Sequence, residues 1–158
     1  IEDMADVFRV MLGDAQTLVP VKNEIDVTKK YLNLEMLRLE DRLRVDWDIG
    51  KFPRKAVMPM LSMQPLFENA IYYGIEPSPV GGAIKVKMWE ENEAVHIHIA
   101  TILSYAAAAR PHKDQDVALD NMRQRLETYY GDAAKLQISK DGNMYIIDVS
   151  FPARGGQI

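Results

Sequence analysis

Apolar residues recur at two periods along the chain. Leu43, Val45 and Trp47 alternate with Arg44, Asp46 and Asp48, the period of two that marks a half-buried strand. Ile84, Val86 and Met88 alternate with Lys85 and Lys87, and Val95, Ile97 and Ile99 alternate with His96 and His98. With the polar residues 90–93 between them, these two runs predict a hairpin. A second hairpin is predicted from 136–139 and 145–151, turning at Asp141 and Gly142. Helical spacing occurs in three other places. Ile1, Met4, Val7, Phe8 and Met11 form one stripe, broken at Gly13 and Asp14. A Glu-, Lys- and Leu-rich stretch over 21–42 forms the second, its charged residues making the solvated face. The third covers 117–130, with Leu119, Met122, Leu126 and Tyr129 on one face.

The segments between are set by breakers. A short linker runs to Pro20, and Pro53 and Pro59 bracket a loop. Residues 60–75 read as a helix, and Pro65 fits only its first turn, where the missing N–H has no intrahelical partner. That helix therefore starts near Gln64 and ends at Gly74. Pro77, Ser78, Pro79, Gly81 and Gly82 make a turn-rich loop, 104–115 has no period and reads as a mobile loop, and Pro152 onward reads as a frayed tail. The order is helix, helix, strand, helix, two strands, helix, two strands. This predicts an α/β (α+β) two-layer sandwich, with a mixed sheet of about five strands and helices on one face.

Composition narrows the function. The chain has 158 residues, 47% hydrophobic and 27% charged, enough for one ordinary core. Its formal charge of −4 and the lack of a basic block argue against nucleic acid as a partner. The absence of cysteine excludes disulfides, thiol catalysis and Cys-based zinc sites. His96 and His98 lie two apart in an alternating run and read as ordinary strand residues. Met58, Met60 and Met63 read as core filling. No apolar run reaches the length of a membrane span and no signal peptide is visible. The first residue is Ile1, so the sequence is read as a piece of a longer protein.

Residues 63–75 read MQPLFENAIYYGI. The string resembles the N-box of the LytS/AlgZ class of bacterial sensor histidine kinases, a branch of the Bergerat-fold (GHKL) ATPases, where the phrase is close to LQPLVENAIKHGI. Residues 18–49 resemble the linker helix and first strand of that class, ALDNMRQRLETYYG (118–131) its last core helix, and YIIDVSFP (145–152) its closing strand. The four blocks fall in order, and the resemblance extends over nearly the whole chain. The resemblance implies a dimerisation-helix end and linker over 1–20, a histidine-kinase-like ATP-binding domain over 21–152 and a tail over 153–158. It implies ATP and Mg²⁺ as cofactors, with Asn69 as a neutral oxygen ligand of Mg²⁺ and Glu68 beside it as a water or metal positioner. It implies as partners a LytTR-type response regulator and the chain's own dimerisation helix hairpin in a homodimeric parent. The domain would be cytoplasmic, in a parent anchored in the bacterial inner membrane. The motif holding the phosphoacceptor histidine would lie before Ile1, so this fragment alone is not expected to transfer phosphate.

The chain also departs from the pattern. Tyr72 and Tyr73 stand where the family has Lys-His, which removes a cation and leaves the Tyr73 hydroxyl as a donor. Thr101 is the best match to the Asp that contacts adenine, and it accepts a hydrogen bond without charge. No glycine occurs between Gly82 and Gly131, and four alanines, 106–109, occupy the place of the mobile ATP lid. The box GxGLxN reads Asp116-Val117-Ala118-Leu119-Asp120-Asn121, keeping only Leu119 and Asn121, with an Asp116 carboxylate that would repel phosphates. Met144 and Tyr145 replace the Gly-Thr that opens the closing strand. The AlgZ/FimS-like branch, which departs at the same boxes, resembles the chain best. Losing a charged acceptor and a cation predicts nucleotide binding weaker by roughly 10²-fold than in relatives that keep them.

Two functions remain open at this stage. One is the ATP-binding domain of a sensor histidine kinase. The other is a degenerate, non-catalytic signalling module that docks to a dimerisation domain or response regulator. Without the resemblance, Asn69 is a helix-surface amide, Glu68 and the Arg123 and Arg125 guanidinium groups are solvated charges, and Thr101 is a strand end.

Overall fold

The computed structural model describes residues 18–52, 56–103 and 114–153, the side chains of 114–116 excepted. The helix expected before Gly13, most of the loop expected over 104–115 and the last five residues lie outside the described residues.

The sheet follows the alternating runs. Strands β2 (Leu43–Ile49), β4 (Gly82–Glu91), β5 (Ala94–Ile102), β6 (Lys135–Asp141) and β7 (Met144–Pro152) form one mixed sheet in the order β2-β4-β5-β7-β6. Only β2 and β4 are parallel; the other neighbours are antiparallel. One face is apolar: Ile84, Val86 and Met88 of β4, Val95, Ile97 and Ile99 of β5, and Ile147, Val149 and Phe151 of β7 are buried. The other face carries cross-strand rows of polar side chains, among them Asp48, Lys87, His98, Asp148 and Gln137. Three helices supply the second layer: α1 (Val21–Leu39), α2 (Gln64–Ala70) and α3 (Asp114–Tyr130). Their buried side chains are Ile25 and Leu32, Leu66 and Phe67, and Leu119, Met122 and Leu126, all in the same core. The result is the two-layer α/β fold expected, with the helices on one side. Each fully buried Leu or Phe contributes about 1.5–3 kcal/mol.

A parallel pair needs a crossover. Here that crossover runs over 50–81 and contains α2, which is how the sequence carries the N-box segment onto the core face. Pro65 sits in the first turn of α2, as its chemistry requires. Past Ala70 the helix widens into a π turn, Ile71–Ile75, a local irregularity common at functional sites. The segment that follows is tied to the start of β2. The Arg42 guanidinium donates to the carbonyls of Ile75, Glu76 and Ser78 at 3.3, 2.8 and 2.9 Å. The β4–β5 hairpin turns at Asn92 and Glu93, both with positive φ (55° and 63°), as a two-residue turn between twisted strands demands.

Several segments differ from expectation. Leu18–Pro20, read as linker, is strand β1, and it pairs antiparallel with β3 (Val57–Pro59), read as loop. Three-residue strands ending in proline carry no measurable alternation, and a two-stranded ribbon tolerates proline at its edges. The first helix stops at Leu39, and Glu40–Arg42 is a single 3₁₀ turn. The last helix begins at Asp114, within the expected loop. Pro152 ends β7, and Ala153 is buried and donates its N–H to Glu93 O at 2.8 Å, so the ordered chain runs past the point where fraying was expected.

Candidate functional site

The N-box helix is seated by a buried carboxylate. Glu24 of α1 is 2% exposed and accepts the backbone N–H groups of Leu61, Ser62 and Met63 at 2.9, 3.0 and 3.3 Å. These amides belong to the turn that enters α2, where Leu61 has φ 60°. Burial pushes the Glu24 carboxyl above its ordinary value, against the opposing pull of the three amides and of Arg125. Arg125 of α3 donates to the Met60 carbonyl, so three segments meet at this turn. Burial pushes Arg125 below its ordinary value.

On that base the structure gathers four of the side chains singled out in the sequence. Asn69 of α2 is fully buried and is not a helix-surface amide. Its Oδ1 accepts a hydrogen bond from the Tyr145 hydroxyl, and its Nδ2 has no hydrogen-bond partner. Tyr145 is the second residue of β7 and the direct cross-strand partner of Thr101, the last but one of β5. The rings of Tyr73 and Tyr145 lie 5.4 Å apart, tilted by 40°. Thr101 donates to the Ala83 carbonyl at 3.2 Å, which leaves its oxygen lone pairs as acceptors. Thr101 also packs on Gly74, where an added Cβ would stand 2.5 Å from its Oγ1 and Cγ2. Gly74→Ala is expected to lower stability by about 1–3 kcal/mol through overpacking, read as a lower urea midpoint with unchanged slope.

Other singled-out residues lie elsewhere. Glu68 accepts from Gln64 Nε2 at 2.8 Å one turn back on its own helix; burial first, and then the charges of Glu35 and Glu68, push the Tyr31 hydroxyl on α1 above its ordinary value. Leu119 is core, and Asn121 is exposed on α3. Arg123 pairs with Asp120 at 2.7 Å. His96 stacks on Trp89 and His98 meets Asp148 at 2.6 Å, both on the open face of the sheet. Met58 and Met63 are fully buried. Sequence reading missed Glu24, Arg42 and the burial of Arg125, because a helical period marks apolar positions and gives no signal for a buried charge.

The histidine-kinase family model matches residues 1–43. The sensor histidine kinase YesM of Bacillus subtilis is 25% identical over 149 residues, covering 89% of this chain and 25% of YesM. The sensor protein LytS of Enterococcus faecalis is 24% identical over 129 residues, 75% of this chain and 22% of LytS. The chain is a homologue of the sensor histidine kinases. It spans about a quarter of the length of these two relatives. The fold of this sensor-kinase homologue agrees: the catalytic domain of the histidine kinase ThkA superposes with a TM-score of 0.63 over 88% of this chain and 97% of that one, at 12% identity. Among the described residues, no helix is long and apolar enough to cross a membrane, and no group of three or more His, Cys, Asp or Glu side chains is placed to hold a metal.

Proposed function

We propose that this chain is the ATP-binding module of a LytS-type sensor histidine kinase. In that role it holds Mg²⁺–ATP beside α2 and presents the γ-phosphoryl to a histidine of a dimerisation helix hairpin. The observation that carries the reading is Asn69, a neutral amide fully buried on the N-box helix with its Nδ2 unpartnered. The unpaired NH₂ is a buried donor, and a phosphate oxygen of the nucleotide would satisfy it. The Asn69 Oδ1, held by the Tyr145 hydroxyl in this structure, is the kind of neutral oxygen that Mg²⁺ takes alongside phosphate and water, since Mg²⁺ is held by one or two protein oxygens plus substrate phosphates. Asn69 would supply that oxygen, and Thr101 would accept a hydrogen bond from the adenine amino group. The Tyr73 hydroxyl would stand where the relatives' phosphate-facing cation does. When bound, Mg²⁺ neutralises charge that develops on the transferred phosphoryl group.

What the chain's own residues contribute is placement. Glu24 and Arg42 fix the two ends of the segment that carries Asn69, and Gly74 lets that segment lie against Thr101. We assign 21–152 to the ATP-binding domain and place it in a homodimeric parent anchored in the inner membrane, with a LytTR-type response regulator receiving the phosphoryl group on an Asp. A nucleotide that binds only the folded state raises its melting temperature. ATP with Mg²⁺ is therefore expected to raise the melting temperature of this chain, and ATP with EDTA to raise it less. No shift at millimolar nucleotide under either condition would favour the docking-module reading instead.

A further inference from the structure

The proposed site already holds a side chain. Tyr145 starts at the strand row of Thr101, and its hydroxyl ends on Asn69, so one phenol joins the adenine-side residue to the metal-side residue. The ring is 5% exposed and lies against Tyr73, which fixes its direction. The Asn69 amide is consequently oriented the wrong way for a cation. Its one side-chain oxygen is turned to an O–H donor, while the NH₂ group, which cannot ligate a metal, is left without an acceptor.

We propose that Tyr145 is an internal latch: its hydroxyl competes with Mg²⁺ for Asn69 Oδ1, and Mg²⁺–ATP binds as Tyr145 releases the amide. The inference rests on the reading of Asn69 as the metal ligand. The hydroxyl proton and the cation both seek the electron density of one amide oxygen. A hydroxyl donor already seated there must leave or be displaced, at the cost of a buried neutral hydrogen bond. Tyr145 is thus a positioning residue whose influence reaches the nucleotide through Asn69.

The test is calorimetric titration of ATP into the chain and into its Tyr145→Phe variant, each with Mg²⁺ and with EDTA. Phe keeps the ring packed on Tyr73 and removes only the hydroxyl. The latch predicts binding about three- to tenfold tighter in Mg²⁺ for the variant, from the loss of one neutral hydrogen bond, and no change in EDTA. No gain in Mg²⁺ would overturn it, as would an equal gain in both conditions, which would mean that the phenol merely crowds the nucleotide. A second readout needs no variant: the Tyr145 Cζ resonance of the unmodified chain should shift with Mg²⁺–ATP and stay in place with ATP in EDTA. An unmoved resonance under saturating Mg²⁺–ATP overturns the latch alone. Failure of both proteins to bind millimolar ATP overturns the functional reading and the latch with it.

Discussion

Gly81→Ala is expected to cost about 4 kcal/mol, an exceptional value for one methyl group. Gly81 has φ +73°, where an L-residue with a Cβ is strained. The added Cβ would also overlap the Arg42 backbone, including its carbonyl. Backbone cannot move aside as a flexible side chain can, so the 78–81 turn would have to lift off the start of β2. That lift breaks the three hydrogen bonds from Arg42 to Ile75, Glu76 and Ser78, and it disturbs the Leu43–Gly82 pairing that begins the parallel strands. For a chain of this size, about 4 kcal/mol corresponds to a fall of roughly 8–16 °C in melting temperature. Gly142→Ala is the matched control. It has φ +62° with nothing within 4 Å of an added Cβ, so only the strain of about 1 kcal/mol should remain. Equal melting temperatures for the two variants would show that the close approach to Arg42 is not what requires Gly81.

Glu24→Ala is expected to cost about 3 kcal/mol at neutral pH, since it strands buried donors and a partly buried cation. Three backbone N–H groups lose their acceptor, those of Ser62 and Met63 in a buried setting. Arg125 loses the nearby carboxylate that favours its charged form. The pH dependence has a definite sign. Burial raises the folded-state pKa of Glu24 above 4.5, so the folded chain keeps a proton that the unfolded chain has released. The contribution of this ionisation to stability is complete below the unfolded value. It is lost as the pH rises through the raised folded value. The stability of the unmodified chain relative to its Glu24→Gln variant should fall as pH rises across that window. A difference that grows with pH instead would show that the amides and Arg125, not desolvation, dominate the carboxyl.

The sheet was legible in the sequence because one of its faces is open. Lys85 and Lys87, and His96 and His98, alternate with buried neighbours, and that contrast is what a period of two detects. The segment holding Asn69 was legible through its phrase and through Pro65. Its π turn was not, since Ile71–Ile75 continues a helical apolar pattern. Strands β1 and β3 escaped because three residues cannot display a period. Glu24 escaped for a different reason: its three donors come from a turn some 37 residues later, and no local pattern encodes them. Tyr145 was located by counting back from Pro152, but its bond to Asn69 spans 76 residues and emerges only once β7 is placed beside β5.

In the proposed function Asn69 binds the nucleotide-bound cation. Calorimetry with ATP in Mg²⁺ on the chain and on its Asn69→Ala variant tests it most directly. Binding is expected to be weak in the unmodified chain and lost in the variant. The variant leaves the buried Tyr145 hydroxyl without its acceptor and opens a small void, a cost of about 1–3 kcal/mol, so its melting curve is recorded alongside to establish that it is folded. Equal affinity for Mg²⁺–ATP in the two proteins would contradict the account.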